Sequence, residues 1–255
     1  MQPFLELQER VMCASFVYLY GVVPRSQDGP YCADGVQGLP VHLFPWGDLS
    51  AAISWVDSDE ISDAPAHRRV MQRLLRHGAV LPAPEPTILP DPRALTELLM
   101  RNQRPMLAQL GDLSGLIEVR LQVERVGGAG GPRDPGSLAE LEDERQYLWA
   151  RFVAPLRSGG FSVSRLPLRH RRELLRLACL LPRSCLACFT LTCEALGTRL
   201  EGACRMDISP PMPAVDFVQP ALFGGFSAGS APHPAIVPVL PAVTAPALLP
   251  LARAS

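Results

Sequence analysis

Three stretches of this 255-residue chain carry residue types able to do covalent or coordination chemistry. Gly225-Phe226-Ser227-Ala228-Gly229 has the G-x-S-x-G spacing of a nucleophile elbow, in which a serine on a strand-to-helix turn is activated by a histidine and an acid. Only His233 follows it, inside an Ala/Pro-rich tail, so the required setting is missing and the match reads as coincidence. Cys185-x-x-Cys188, with Cys179, Cys193 and Cys204 nearby, is the richest collection of soft ligands. A thiolate zinc or iron–sulfur site wants a second paired knuckle converging from another turn. Leu186, Ala187, Phe189 and Leu191 read instead as a helical core segment, in which cysteine serves as a small buried apolar residue.

The densest basic stretch is Arg165, Arg169, Arg171, Arg172 and Arg176, with His170 among them. Beside Glu173 it reads as a solvated face. Interleaved aromatics are missing, and Lys+Arg 24 against Asp+Glu 25 leaves the chain nearly neutral, so a nucleic-acid surface is not expected. All of these basic residues are arginine, which reflects composition rather than a site. His67, single and at a helix start, reads as a capping or packing residue. VGGAGG at 126–131 is followed by Pro132 and Asp134-Pro135 rather than by a helix, so it is no phosphate loop. No catalytic, cofactor-binding or metal-ligating residue is assigned, and a protein without enzymatic activity is expected.

Apolar residues make up 47% of the chain, enough for two modest cores. The N-terminal MQPFLELQER lacks a basic segment and an apolar run of signal-peptide kind, and seven scattered cysteines argue against a disulfide framework. A cytoplasmic protein with reduced thiols is expected. Ala235 to Ala252 is apolar, but Pro238, Pro241, Pro246 and Pro250 remove backbone donors, so no membrane span is expected there.

The elements that position these residues follow from periodicity. SFVYLYGVVP, from Ser15 to Pro24, is apolar on both faces and reads as a buried strand. Val41–Phe44 and Leu49–Val56 are strands joined by a hairpin through Pro45, Trp46, Gly47 and Asp48. Ser62 or Asp63 caps a helix carrying Val70 and Leu74, which Gly78 stops. AVLP at 79–82 is a strand that runs into a Pro-rich segment ending with Thr87, Ile88 and Leu89; Asp91-Pro92 opens a helix that Gly111 ends, and Gly115–Val126 alternates as a half-buried strand. Beyond a Gly/Pro linker at 127–136, Ser137 and Glu140 form a capping box for a helix that runs to Pro155. FSVSRL at 161–166 is a strand, Leu174–Leu181 is either a strand or a helix end, Leu186–Leu200 is a helix, and Ala203–Ile208 is a last strand.

This order predicts an α+β protein of two domains. The first, over 1–126, is a ferredoxin-like α/β sandwich; a smaller α+β domain spans 137–220, and an Ala/Pro-rich disordered tail spans 221–255.

Several segments, taken in order, resemble the gas vesicle protein L/F family. Tyr18 to Val23 matches its Y-L-Y-G-[IV]-[VI] strand, Gly47 to Ser54 its G-D-L-x-A-x-x-S run, and Ala64, His67, Val70 and Met71 its A-x-x-H-x-x-V-[LM] helix start. Val80, Leu81, Pro82 and Thr87 fit V-L-P-x-[RK]-F-G-T, with Pro84, Glu85 and Pro86 at the basic, Phe and Gly positions. Glu118 matches the family's strand glutamate and Ala178–Leu181 its A-[YF]-L-V strand. Pro211, Pro213, Phe217 and Val218 match the closing G-P-W-P-P-Y-S-F-V.

The resemblance covers about residues 15–220 and identifies the chain as a divergent member. It implies a bacterial, non-enzymatic accessory or minor structural protein of gas vesicle assembly, in the cytoplasm and at the vesicle. Its implied partners are the small hydrophobic shell protein and other vesicle accessory proteins, with no cofactor, no nucleic acid and no membrane span. The alternative is a small cytoplasmic thiol-dependent metal-binding or redox protein using Cys185 and Cys188.

Overall fold

In the computed structural model the described residues are 16–25, 34–126, 138–200 and 204–224. The chain divides into two units, residues 1–118 with 211–235 and residues 119–210 with 236–255.

The first unit is organised around strand β1 (Phe16–Pro24), whose residues from Val17 to Val23 are all buried. It lies inside a five-stranded sheet of order β2-β3-β1-β4, with β5 also paired to β1. Here β2 is His42–Trp46, β3 Leu49–Val56, β4 Leu81–Pro82 and β5 Ile88–Leu89. All these pairs are antiparallel, and β1 registers on β3 from Phe16↔Val56 to Pro24↔Leu49 with an irregularity between Leu19 and Gly21. The β2–β3 hairpin turns at Gly47, which adopts φ +56°, a conformation open to glycine at little cost.

Two helices pack on β1: α1 (Ala64–His77) and α2 (Pro92–Asp112). Each begins where an aspartate caps it. Asp63 accepts from the Ala66 amide at 3.0 Å and Asp91 from the Ala94 amide at 2.8 Å, each with proline in the first turn. The apolar face of α1 buries Val70, Met71 and Leu74, and that of α2 buries Leu95, Leu98, Leu99 and Met106.

The second unit holds a four-stranded sheet of order β7-β8-β6-β9, comprising β6 (Leu116–Arg125), β7 (Ser162–Arg165), β8 (Glu173–Pro182) and β9 (Cys204–Ile208). The division between the units falls inside β6. Helix α3 (Leu138–Ser158) packs on β7, β8 and α4 (Leu186–Gly197), burying Leu148, Phe152 and Leu156. Phe161 and Phe189 meet edge to face at 5.5 Å, joining α4 to this core.

Two antiparallel sheets with four helices among the described residues make this the α+β protein expected from the order of elements. Leu174–Leu181, ambiguous in the sequence, is strand: β8 is buried from Glu173 to Leu181 because it is interior to the sheet. Pro155 does not stop α3, which continues to Ser158. So close to the helix end, the amide that proline lacks removes one bond and leaves the final turn closed by Gly159 N–H on Pro155 O at 2.9 Å. The disordered tail expected from 221 starts later, since Pro220–Phe223 forms a short helical turn that buries Leu222 and Phe223; Ser137, the expected linker at 127–136 and residues 225–255 lie outside the described residues.

Candidate functional site

Side chains on alternate β1 positions share a face, so Tyr18 and Tyr20 emerge side by side, their rings 4.9 Å apart. Helix α1 lays His67 across both, with centroid separations of 5.8 Å to Tyr18 and 5.6 Å to Tyr20. A tyrosine buried this deeply needs a partner for its hydroxyl. Tyr18 Oη finds His67 Nδ1 at 3.0 Å, and Tyr20 Oη finds Ser54 Oγ on β3 at 2.9 Å.

The second pair belongs to a longer chain with a defined direction. The Val36 amide donates to Tyr20 Oη at 2.8 Å, and Ser54 Oγ donates to the Pro40 carbonyl at 2.9 Å. Ser54 therefore accepts from Tyr20, and a single line of donation runs from Val36 through both hydroxyls to Pro40. It ties the 34–40 loop to β1 and β3. Gly35 lies against this line: a Cβ there would sit 2.1 Å from Tyr20 Oη and 2.8 Å from Ser54 Oγ.

Neighbouring positions are held as closely. A Cβ on Gly21 would lie 2.5 Å from the Leu81 carbonyl oxygen of β4, so the strand approach requires glycine. The Leu19 amide donates to the Thr87 carbonyl and the Ala83 amide to the Tyr20 carbonyl, both at 2.9 Å. The segments that carry the sequence resemblance, 18–23, 47–54, 64–71 and 80–87, thus meet around β1.

The closing segment returns to the same unit by a different anchor. Glu118 is fully buried; its backbone exchanges two 2.9 Å hydrogen bonds with Met212, and its Oε2 accepts from the Asp216 amide at 2.8 Å. That carboxylate caps the short turn Val215–Phe217, while Gln109 of α2 donates to the Phe217 carbonyl at 3.1 Å.

Burial sets the protonation of the β1 network. Loss of solvent lowers the His67 pKa to about 4, and the same cause raises Tyr20 and strongly raises Tyr18, which also feels Glu85. At neutral pH imidazole and both phenols are uncharged. Such an assembly fixes side chains and a loop; it presents no activated acid, base or nucleophile. His67, expected to cap or pack, does the second, because Asp63 holds the cap.

The cysteines expected to compete as a metal or redox site are dispersed. Cys185 immediately precedes α4, Cys188 is exposed on it, Cys193 is buried beneath it, Cys179 lies inside β8 and Cys204 begins β9. Burial pushes the Cys193 thiol up to about 12 and raises Cys204, disfavouring the thiolates that bind metals. Among the described residues the one cluster with ligand atoms close enough to share a cation is Glu124, His170 and Glu173, which contains no cysteine.

The basic stretch is the solvated face expected, with Arg165, Arg169, His170, Arg171 and Arg172 all exposed, except that Arg176 and the neighbouring Glu173 are buried. Arg165 stacks over Trp149 at 5.3 Å, Arg176 is 9% exposed and donates to the Pro167 carbonyl at 2.6 Å, and Glu173 is 1% exposed. Arg171 and Arg172 remain outside. The G-x-S-x-G match and VGGAGG beyond Val126 lie outside the described residues.

Sequence reasoning missed the polar line through Tyr20, whose available signal was two tyrosines at i, i+2 in an otherwise apolar strand. It also missed the outward character of α4. Leu191 is 66% exposed and, with Cys188, Thr192, Ala195 and Leu196 and with Arg151 of α3, lines a shallow open depression. Only Phe189 and Cys193 of that helix are buried among its described side chains.

A model of the gas vesicle synthesis protein GvpL/GvpF family matches residues 16–127, the stretch that holds the whole β1 network. No curated protein sequence matches the chain. The crystal structure of the gas vesicle protein GvpF from Microcystis aeruginosa superimposes with a TM-score of 0.68 at 16% identity, covering 80% of this chain and 99% of that one. GvpF from Anabaena gives a TM-score of 0.65 at 15% identity, with 80% and 98% covered. At such identities these likenesses establish a shared fold across both units.

Proposed function

We propose, starting from the fact that the chain belongs to the GvpL/GvpF gas vesicle family, that it is a non-enzymatic accessory or minor structural protein of gas vesicle assembly. It works in the cytoplasm and at the vesicle, binding the small hydrophobic shell protein and other vesicle accessory proteins. The observation that carries this reading is where the family-like residues sit. Tyr18, Tyr20, Gly21, Ser54 and His67 are spent on a closed, uncharged scaffold, so what the family shares is a frame for surfaces rather than a reacting centre.

A shell subunit with an apolar face aggregates unless that face is covered before assembly. The outer side of α4, with Leu191 and Ala195 open to solvent and a single charged residue, Glu194, in the whole helix, supplies an apolar surface for this. Among the described residues no helix is long and apolar enough to cross a membrane.

Affinity capture of the full-length chain, co-expressed with the shell protein and the remaining accessory proteins, tests the reading. The shell protein is expected in the captured complex and is expected to be depleted by Leu191→Glu. Failure of the wild-type chain to retain any vesicle protein under these conditions overturns it. Retention that is indifferent to Leu191→Glu moves the contact off α4.

A further inference from the structure

We propose that Glu124, His170 and Glu173, in the second unit, form a binding site for a divalent cation of Zn2+ type, independent of the vesicle role. The three residues come from separate parts of the chain: Glu124 from β6, His170 from the turn before β8, and Glu173 from the first position of β8. Neighbouring strands bring them together. The Arg125 amide donates to the Arg172 carbonyl at 2.9 Å, which sets Glu124 beside Glu173, and the Glu173 amide donates to the His170 carbonyl at 3.1 Å, which folds the imidazole back over the pair.

His170 Nε2 lies 3.4 Å from Glu124 Oε1 and 3.8 Å from Glu173 Oε1, and the three ligand atoms all fall within 4.8 Å of one another. Bonds of about 2.0–2.2 Å directed to the corners of a tetrahedron hold donor atoms roughly 3.3–3.6 Å apart. The two imidazole–carboxylate spacings need to contract by at most a few tenths of an ångström, and the two carboxylate oxygens, no more than 4.8 Å apart, by at most about 1.5 Å. One imidazole nitrogen and two carboxylates are a donor set suited to Zn2+ and to neighbouring divalent transition ions, and a fourth position stays open to water.

What separates this cluster from an ordinary group of surface charges is the state of Glu173. Its side chain is 1% exposed, and its two oxygens are treated differently. Oε2 accepts from the Arg169 amide, while Oε1 is buried without a hydrogen-bond partner and faces His170 and Glu124. A buried carboxylate oxygen left unpaired is costly, and a cation at the centre of the three donors would satisfy it. The Arg169 amide then acts as the outer partner that fixes the carboxylate's orientation.

The surrounding charges do not fill the position. Arg176 Nε stands 4.0 Å from Glu173 Oε1, offsetting part of the negative charge, and the guanidinium donates through Nη1 to Pro167. Gln122 donates to Glu124 Oε1, and Arg125 pairs with Glu144. His170 is half exposed, which gives an ion a route from solvent.

Titration of Zn2+ into the full-length protein at neutral pH, followed by calorimetry and by the visible absorption of Co2+ in its place, tests the site. One equivalent is expected to bind. His170→Ala and Glu124→Gln should each weaken binding by about 100-fold or more, because loss of even an outer-shell partner costs about 10- to 100-fold. The Cys185→Ser/Cys188→Ser double variant should bind as the wild type does, and the Co2+ complex should lack thiolate charge-transfer absorption. No saturable binding by the wild-type chain, unchanged affinity in both ligand variants, or loss of binding on cysteine replacement would each overturn the proposal. If His170→Ala does not fold, Glu124→Gln decides the matter, since that side chain is partly exposed.

Discussion

The network around β1 and the cluster beside β8 handle buried polar groups in opposite ways. Around β1, the hydroxyls of Tyr18, Tyr20 and Ser54 meet partners within the protein and the participants are neutral. Beside β8, the Glu173 carboxyl group is taken into the interior with one oxygen that has no hydrogen-bond partner. A closed neutral network rigidifies what it touches; an open one is incomplete without something else. The first arrangement is expected to govern stability and the second to respond to what is in solution.

The sharpest way to break the first unit is to add bulk where β1 and β4 meet. Gly21→Val should destabilise the protein by about 3 kcal/mol or more in denaturant unfolding, because the new side chain meets a backbone carbonyl that cannot rotate away.

Acid should do nearly as much. His67 has its pKa lowered from 6.5 to about 4 in the folded state, so between these values the unfolded chain binds the extra proton. Its stabilising contribution is fully present above about pH 6.5 and is lost as the pH falls toward 4, amounting to about 3 kcal/mol in all. Unfolding free energies measured across this window should show the slope in the wild type and lose it in His67→Gln.

Tyr20→Phe interrupts the donation line and leaves the Val36 amide buried without its acceptor, with an expected loss of about 2 kcal/mol in the same assay. Near the bottom of the scale, His170→Ala should change metal-free stability by less than about 0.5 kcal/mol, since its side chain is half exposed. Zn2+ should nevertheless raise the melting temperature of the wild type and leave that of His170→Ala unmoved. Equal sensitivity of both units to these changes would erase the contrast between them.

Much of the first unit was legible because its information is local. The unbroken apolar run of β1, the aspartate-proline starts of α1 and α2, and the hairpin at Gly47 each announce themselves within a few residues. The matched segments were legible as well, but their common purpose was not. Nothing in the spacing of Tyr20, Val36, Pro40 and Ser54 says that one line of hydrogen bonds joins them, since that depends on how β1 pairs with β3 and where the loop crosses. The cysteines are legible only as a spacing, for a related reason. Cys185-x-x-Cys188 straddles the start of α4, with Cys185 half-buried and Cys188 exposed, and among the described residues it is not part of any three-ligand cluster.

Periodicity, capping residues and turn chemistry act over a few residues, and so the sequence by itself determined the α+β class, nearly every element and the burial of β1. Strand pairing acts across the chain, and only the tertiary structure decided what followed from it. It brought Glu124 to His170 and Glu173 through the alignment of β6 with β8, returned the segment from Pro211 to the first unit, and left Leu191 outside. Hydrogen-bond register and burial are properties of the assembled sheet, and no single segment contains them.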